Sequence, residues 1–303
     1  MPDQITEYIL KRKSELNAVI MAHFYQRPEI QEIADFVGDS LQLAQKAAET
    51  QAGAIFFCGV SFMAESAKIL NPDKLVVLPE PEAGCPMADM ITGEQLRNWK
   101  AKHPGATVVT YVNSSAEVKA ESDVCCTSSN AIAVVRSIPE DTPILFVPDQ
   151  NLGAFVADKT GRKNITCWPG FCPTHHHFKP EDIQEIKTAH PDAVVIVHPE
   201  CRPEIIALAD EALSTGGMLK YVEKSSAEEF VIGTEEGLMY QLRKRFPAKT
   251  FYLAHEKLIC PNMKLTTIEK LAYVMETMEP SVEVPEDIRL KAYKALERML
   301  KIN

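Results

Sequence analysis

Three of the eight cysteines in this chain share a sequence context that is typical of metal ligands. Cys85, Cys172 and Cys260 are each followed by proline, and they are separated by 87 and 88 residues. Proline after a ligating cysteine is common at iron–sulfur clusters, where it shapes the backbone that holds the thiolate. Thiolates are soft ligands that suit such clusters or zinc. Because zinc sites usually use CxxC pairs, which this sequence lacks, we expect an iron–sulfur cluster.

Three thiolates on a four-iron cluster leave one iron without a protein thiolate, and an open metal position can act as a Lewis acid. The alternative is that these are buried structural cysteines, since free cysteine packs as a small hydrophobe. The metal interpretation is favoured because disulfides are rare in reducing compartments, so clustered cysteines there indicate metal or redox chemistry. The other five are assigned to the core or to the surroundings of the site: Cys58, Cys125, Cys126, Cys167 and Cys201.

Polar residues end three similar apolar segments at 18–25, 107–113 and 193–200. Each segment has the continuous hydrophobicity of a buried parallel strand. Ligands of parallel sheets bind beyond the carboxyl ends of the strands, so we expect these polar residues to face a common site. Gapless alignment groups them as His23, Tyr111 and His198; Tyr25, Asn113 and Glu200; and, where the next helices begin, Ser40, Ser128 and Thr215.

Several of these side chains could carry out acid–base chemistry. Glu200 is the only acidic residue among its repeat partners and is the best candidate for a general base. Tyr25 and Tyr111 could be acids or orienting hydrogen-bond donors, or they could simply pack. His175 is three residues from Cys172 and must therefore lie near the metal.

The three hydroxyl residues could cap their helices, which is the commonest role for serine and threonine at such positions. A helix N-terminus with a hydroxyl group also binds carboxylates and phosphates. Three of them at one centre favour an anionic substrate.

The segments belong to a repeat of about 88 residues. Each unit reads strand, helix, strand, helix, strand, cysteine, helix, which is the pattern of a small parallel sheet wrapped by helices. We predict an α/β fold with three pseudo-threefold-related small domains around a central cluster. The predicted units are 1–85 together with a C-terminal helix in 282–303, then 86–172, and then 173–281.

Composition limits the classes of partner. The chain of 303 residues carries 42 acidic and 32 basic residues, for a net charge of −10, which does not favour nucleic acid or an anionic membrane. The N-terminus has the pattern of an amphipathic helix and not of a signal peptide, and no apolar run is long enough for a membrane span. We expect a cytoplasmic protein that acts on small molecules.

The sequence resembles the quinolinate synthase family along essentially its whole length. The resemblance is carried by the segments GDSLQLA, FCGVSFMAESAKIL, AGCPMADM, VTYVNSSAEVKAESDVCCTSSNA, VPDQNLG, HPEC, STGGM, GTEEG and CPNMK. It implies three pseudo-threefold α/β domains with a [4Fe–4S] cluster at their interface. It also implies a transferase that condenses iminoaspartate with dihydroxyacetone phosphate to quinolinate for NAD synthesis, releasing phosphate and two waters. An aspartate-oxidising enzyme would be the functional partner.

Carried over by position, the resemblance makes Cys85, Cys172 and Cys260 the cluster ligands. It places Tyr25 and His175 near the cluster. It assigns substrate binding and the handling of intermediates to His23, Ser40, Tyr111, Val112, Asn113, Ser128, His198, Pro199, Glu200 and Thr215.

Two other functions stay open at this point. A reductive dehydratase of isoprenoid diphosphate type would share the three-cysteine, three-lobed plan, but the HPEC and VTYVN segments fit it less well. An electron-transfer or iron-storage protein would normally have a fourth cysteine ligand and little need for the surrounding histidines, tyrosines and glutamate.

Overall fold

The structure, a computed structural model, describes residues 4–302. Strands in this range form three four-stranded sheets, and every strand pair within them is parallel. Helices flank all three sheets, so the predicted α/β architecture of three small parallel sheets is confirmed. No helix in this range is both long and apolar enough to cross a membrane.

The first sheet has the strand order β2-β1-β3-β4. Its strands are β1 Ala18–His23, β2 Phe36–Gly38, β3 Ala54–Cys58 and β4 Leu75–Val77. Its helices are α1 Gln4–Glu15, α2 Pro28–Ile33, α3 Ser40–Glu49 and α4 Ser61–Leu70. The central strand β3 (AIFFC) is buried along its whole length, as the absence of alternation in its sequence predicts.

The second sheet repeats this order as β6-β5-β7-β8. Its strands are β5 Thr107–Tyr111, β6 Val124–Cys126, β7 Ile144–Val147 and β8 Ile165–Cys167. Its helices are α5 Gly93–Ala101, α6 Ala116–Ala120, α7 Ala131–Arg136 and α8 Gln150–Thr160.

The third sheet has the order β10-β9-β11-β12. Its strands are β9 Val194–Val197, β10 Glu211–Ala212, β11 Glu229–Gly233 and β12 Thr250–Leu253. Its helices are α9 Pro173–His176, α10 Pro180–Ala189, α11 Pro203–Ile206, α12 Thr215–Lys224 and α13 Leu238–Arg245; α14 Ile268–Thr277 and α15 Glu286–Leu300 follow. The chain also has 3₁₀ turns at Ala88–Met90 and Met263–Leu265.

Equivalent aspartates tie each edge strand to the strand beside it. The carboxylate of Asp35 accepts the backbone N–H of Ile20 at 2.9 Å. The same contact recurs in the other two sheets, from Val108 to Asp123 at 2.8 Å and from Val195 to Asp210 at 2.7 Å. The gapless alignment of the repeat therefore has a physical basis at these positions.

The edge strands β2, β6 and β10 were not predicted from sequence. They have only two or three residues each, which is too short for alternation or a hydrophobic run to be visible.

The C-terminal helix α15 lies between two of the sheets. It packs on α6 and β6 of the second sheet and also on α4 and α3 of the first. The side chain of Asn130 donates to the carbonyl oxygens of Met299 and Ile302, which fixes the end of the helix to the second sheet. The division of the chain at 85/86, 172/173 and 281/282 remains a prediction.

Candidate active site

One cavity collects the predicted polar residues from all three sheets. It lies at the carboxyl ends of the strands, where parallel sheets bind their ligands. The predicted residues that line it are His23, Tyr25, Ser40, Cys85, Tyr111, Asn113, Ser128, Cys172, His175, His198, Glu200, Thr215 and Cys260. Val112 is buried in the core behind this wall, and Pro199 is buried between two lining residues.

The three Cys-Pro cysteines are partly buried, and a short helical turn begins within three residues after each of them. Burial raises the pKa of the Cys85 thiol to about 12 and also raises the pKa values of Cys172 and Cys260. Backbone N–H groups of the turns oppose this by donating to the sulfurs, from Met87 and Ala88 to Cys85 and from His175 to Cys172. Thiols held in this way lose their protons when a cation is bound between them. The donor set therefore fits a metal cofactor.

His175 connects this thiol wall to a carboxylate. Its Nδ1 atom lies 3.2 Å from Sγ of Cys172 and 2.7 Å from Oε2 of Glu200. The ligand atoms of these three side chains lie within 4.8 Å of one another, so they could hold a metal ion. The imidazole ring also stacks on His198 with ring centroids 4.8 Å apart.

A residue that sequence reasoning missed, Thr234, joins two predicted ones. Its hydroxyl lies 2.6 Å from Oη of Tyr25 and 2.9 Å from Nε2 of His175. Thr234 is fully buried directly after β11. The signal was available, because Thr234 belongs to the GTEEG segment and follows a strand end.

Glu200 carries a negative charge in this setting. Burial favours its neutral form, but the facing imidazoles of His198 and His175 and hydrogen bonds from His175 and Tyr111 lower its pKa to about 2. Burial lowers the pKa of His198 to about 3 and outweighs the opposing charge of Glu200, and His175 makes a smaller contribution in the same direction as burial. At neutral pH the cavity therefore contains an anionic carboxylate beside a neutral imidazole.

His23 and His198 have the same hydrogen-bond geometry in two different sheets. Nδ1 of His23 accepts the N–H of Tyr25 at 3.1 Å, and Nδ1 of His198 accepts the N–H of Glu200 at 3.3 Å. An imidazole that accepts at Nδ1 and is neutral carries its hydrogen on Nε2. Burial also lowers the pKa of His23 to about 3, so both rings offer one N–H donor.

Tyr25 and Tyr111 keep their protons. Burial raises the pKa values of both phenols well above the usual range, and the negative charge of Glu200 raises them further. Each phenol is therefore a hydrogen-bond and proton donor at neutral pH.

The hydroxyl residues at the helix starts are not the caps. Asp39 accepts the N–H of Gln42 and caps α3, and Ser214 accepts the N–H of Gly217 and caps α12. Ser40 and Thr215 are the next residues along the chain, inside the first turn, and both line the cavity. The capping alternative is therefore wrong for these two.

A three-way contact holds the helix starts together. Oγ of Ser129 lies 2.8 Å from Oδ2 of Asp39 and 2.8 Å from Oγ of Ser214. Residues near one helix start in each of the three sheets thus meet behind the cavity. A Cβ atom at Gly216 would lie 2.5 Å from Oδ2 of Asp39, so this close approach requires glycine.

One buried polar atom in the wall lacks a partner within residues 4–302. Oδ1 of Asn113 accepts no hydrogen bond there. Leaving a buried acceptor unpaired costs free energy. A ligand with an N–H or O–H group would remove that cost.

Sequence comparisons match the chain to one family over nearly its whole length. The sequence profile of a family described as "Quinolinate synthetase A protein" matches residues 7–301. A protein of Dehalococcoides mccartyi named "Quinolinate synthase" is 57% identical over 298 residues, which is 98% of each chain. A Geobacter metallireducens protein of the same name is 56% identical over 300 residues, covering 99% of this chain and 98% of the relative. "Quinolinate synthase 2" of Methanosarcina acetivorans is 54% identical over 299 residues, covering 99% and 96%.

Proposed function

The chain belongs to the quinolinate synthetase A protein family, and from this premise we propose that it is a quinolinate synthase acting in NAD biosynthesis. The proposed reaction condenses iminoaspartate with dihydroxyacetone phosphate and releases phosphate and two waters to form quinolinate. The observation that carries the proposal is the convergence of three Cys-Pro cysteines, a carboxylate and hydrogen-bond donors from three sheets on one cavity.

We propose that the metal cofactor is a [4Fe–4S] cluster bound by Cys85, Cys172 and Cys260. Support comes from the soft donor set and from the equivalent turns that follow each cysteine. When bound, the cluster supplies an iron position without a protein thiolate that acts as a Lewis acid.

The hydroxyl and imidazole groups that line the cavity suit a small dianion. Ser40 and Thr215 stand at the starts of α3 and α12, and Ser128 lies shortly before α7. Helix N-termini attract carboxylates through their free N–H groups and positive dipole ends. His23 and His198 add neutral N–H donors, and the free acceptor of Asn113 suits the imine N–H of iminoaspartate.

Glu200 is proposed as the base and the two tyrosines as acids. An ionised carboxylate can remove a proton from a carbon or nitrogen of the bound substrate. Tyr25 can give its phenolic proton to a leaving hydroxide, and His175, 2.7 Å from Glu200, can then pass the abstracted proton through Nδ1, Nε2 and the Thr234 hydroxyl to restore the phenol. Tyr111, which is hydrogen-bonded to Glu200, can protonate a leaving hydroxide from the other side.

The reductive dehydratase of isoprenoid diphosphate type is not favoured, because the family match and the names of the relatives agree on quinolinate synthase. We further propose that an aspartate-oxidising enzyme supplies iminoaspartate, since this imine hydrolyses readily in water. From the family membership we also propose a cytoplasmic location.

The test is an anaerobic assay. Protein purified without oxygen would be mixed with dihydroxyacetone phosphate and iminoaspartate generated in place, and quinolinate would be measured. Quinolinate formation is expected only when both substrates are present. Protein with an intact cluster that forms none would contradict the proposed function.

A further inference from the structure

Glu235 is a buried carboxylate that contacts the loop of Cys260 directly and the loop of Tyr25 through Lys264. Its side chain is 0% exposed. Oε1 accepts the backbone N–H of Cys260 at 3.0 Å, and Oε2 accepts the N–H of Gly237 at 2.7 Å. Nζ of Lys264 lies 3.0 Å from Oε1 and also donates to the carbonyl oxygen of Tyr25 at 2.8 Å.

The same place in the other two units holds different residues. The strands β3, β7 and β11 are equivalent in the three units. The third residue after each of them donates its backbone N–H to a carbonyl oxygen, which belongs to the residue two positions before the Cys-Pro cysteine of that unit. The three contacts are Ser61 to Ala83, Gln150 to Gly170 and Glu236 to Leu258, all at 2.8 Å. The residue before each donor is Val60, Asp149 or Glu235.

These three residues differ in what they offer the cysteine that follows. Val60 has no acceptor. The carboxyl group of Asp149 also accepts the N–H of Cys172, but it is shared with the N–H groups of Asn151 and Leu152 at the start of α8. Glu235 accepts the N–H of Cys260 at 3.0 Å and also has a lysine partner, Lys264, that reaches Tyr25 beside the first sheet.

The turn that carries Glu235 also packs tightly on the Tyr25 backbone. A Cβ atom at Gly237 would lie 2.7 Å from Cα of Tyr25. The side chain of Gln31 donates to the carbonyl oxygens of both Gly237 and Phe24. The loop of Cys260 and the loop of Tyr25 are therefore joined by direct packing as well as by the Glu235–Lys264 pair.

We propose that Glu235 is a positioning residue that fixes Cys260 for cluster binding and, through Lys264, sets the place of Tyr25 relative to the cluster. The proposal rests on the proposed function in taking Cys260 as a cluster ligand. The structural part of the proposal is that Glu235 fixes the 258–265 segment, and this part can be tested without measuring any enzyme activity.

The first experiment uses the metal-free protein and amide hydrogen exchange. Glu235→Gln keeps the shape, but its amide group cannot accept from both N–H groups and has no charge for Lys264. The amide exchange rates in 258–265 are expected to rise about fivefold or more, because the loss of one hydrogen bond costs about 1 kcal/mol. The exchange rates in 83–90, around Cys85, should stay unchanged. Glu236→Gln is the matched control, because Glu236 is 42% exposed and only approaches Lys264 at 3.6 Å.

The second experiment uses the protein loaded with its cluster. Glu235→Gln is expected to release iron to a chelator several-fold faster than wild type and to lower kcat with little change in KM. The proposal would be overturned if Glu235→Gln and wild type had the same exchange rates in 258–265, or if the rates in 83–90 rose as much as those in 258–265. Failure of the proposed function would instead appear as wild-type protein that makes no quinolinate, and it would leave the exchange result unchanged. Should Glu235→Gln fold poorly, Lys264→Met tests the link to Tyr25: unchanged kcat in that variant would also overturn it.

Discussion

Nδ1 of His175 lies 2.7 Å from Oε2 of Glu200, and both side chains are at most 4% exposed. The two residues belong to different segments of the chain, since His175 lies in the short helix α9 that follows Cys172 and Glu200 lies three residues after β9. Their contact joins the thiol wall of the cavity to Glu200, the proposed general base. Because Glu200 is ionised and His175 also reaches Thr234, protons can move between the base and the tyrosine without leaving the buried site.

Replacing Glu200 by glutamine should separate chemistry from metal binding. The variant keeps the size of the side chain but loses the base, so kcat is expected to fall about 10²-fold or more. Visible absorbance and iron content should stay at wild-type levels, because the three thiols are untouched. Normal turnover in this variant would remove Glu200 from the mechanism.

The three Cys-Pro cysteines should be individually required for the cluster. Cys85→Ala, Cys172→Ala or Cys260→Ala is expected to lose the visible absorbance of anaerobically reconstituted protein. Cys125→Ala is the control, since Cys125 is fully buried in β6 and should keep it. A cluster that survives any one of the first three changes would contradict the assigned ligand set.

Thr234 should matter through its hydroxyl group. Thr234→Val keeps the shape but breaks the contacts with Tyr25 and His175, so kcat is expected to fall about tenfold or more while KM changes little. Thr234→Ser should restore most of the rate. Thr266→Val is a matched control, because the hydroxyl of Thr266 is equally buried and has no partner in the described part of the chain; a similar loss of rate there would exclude the specific role.

Stability of the metal-free protein should fall in acid because of the buried histidines. The pKa of His23 is about 3 when folded and about 6.5 when unfolded. Between these values the unfolded state binds more protons, so the free energy of unfolding decreases as pH falls from about 6.5 towards 3. Each such group contributes up to about 1.4 kcal/mol per pH unit. Urea unfolding at pH 7 and pH 5 measures this effect. The free energy of unfolding should decrease less between these pH values for His23→Asn than for wild type, and equal decreases would contradict a lowered pKa of His23.

Gly216 should be needed for the junction of the helix starts. Gly216→Ala would bring Cβ within 2.5 Å of Oδ2 of Asp39, so this carboxylate must move and its contact with Ser129 is disturbed. The expected result is a loss of stability of about 1–3 kcal/mol and a raised KM for iminoaspartate, measured by thermal unfolding and initial rates. Gly53→Ala is the control, since its nearest neighbour is 3.9 Å away; equal effects in both variants would argue against a specific junction.

The sequence alone predicted the parts of the site that depend on strand ends. Tyr25, Tyr111 and Glu200 follow continuous apolar runs, and parallel topology brings such ends together whatever the details of packing. The cysteines were separable from five others because they alone precede proline at equivalent repeat positions. Both inferences use local features that do not require distances.

The parts that were missed depend on contacts between distant segments. Thr234 reaches Tyr25 across 209 residues, and no local pattern shows which residue after β11 will do so. The hydroxyls of Ser40 and Thr215 could not be distinguished from helix caps. Sequence does not fix the first residue of a helix to within one position, and that position decides which side chain accepts from the first free N–H groups.

One cysteine per unit has a consequence for how the protein is made. Domains generally fold from the N-terminus during synthesis, yet the third thiol is residue 260 of 303 and helix α15, which packs on the second sheet, follows it. A ribosome-bound chain therefore carries two thiols of the proposed set long before the third arrives. Delivery of the proposed cluster would have to wait until Cys260 has been synthesised, and chains truncated before Cys260 should be unable to close the site.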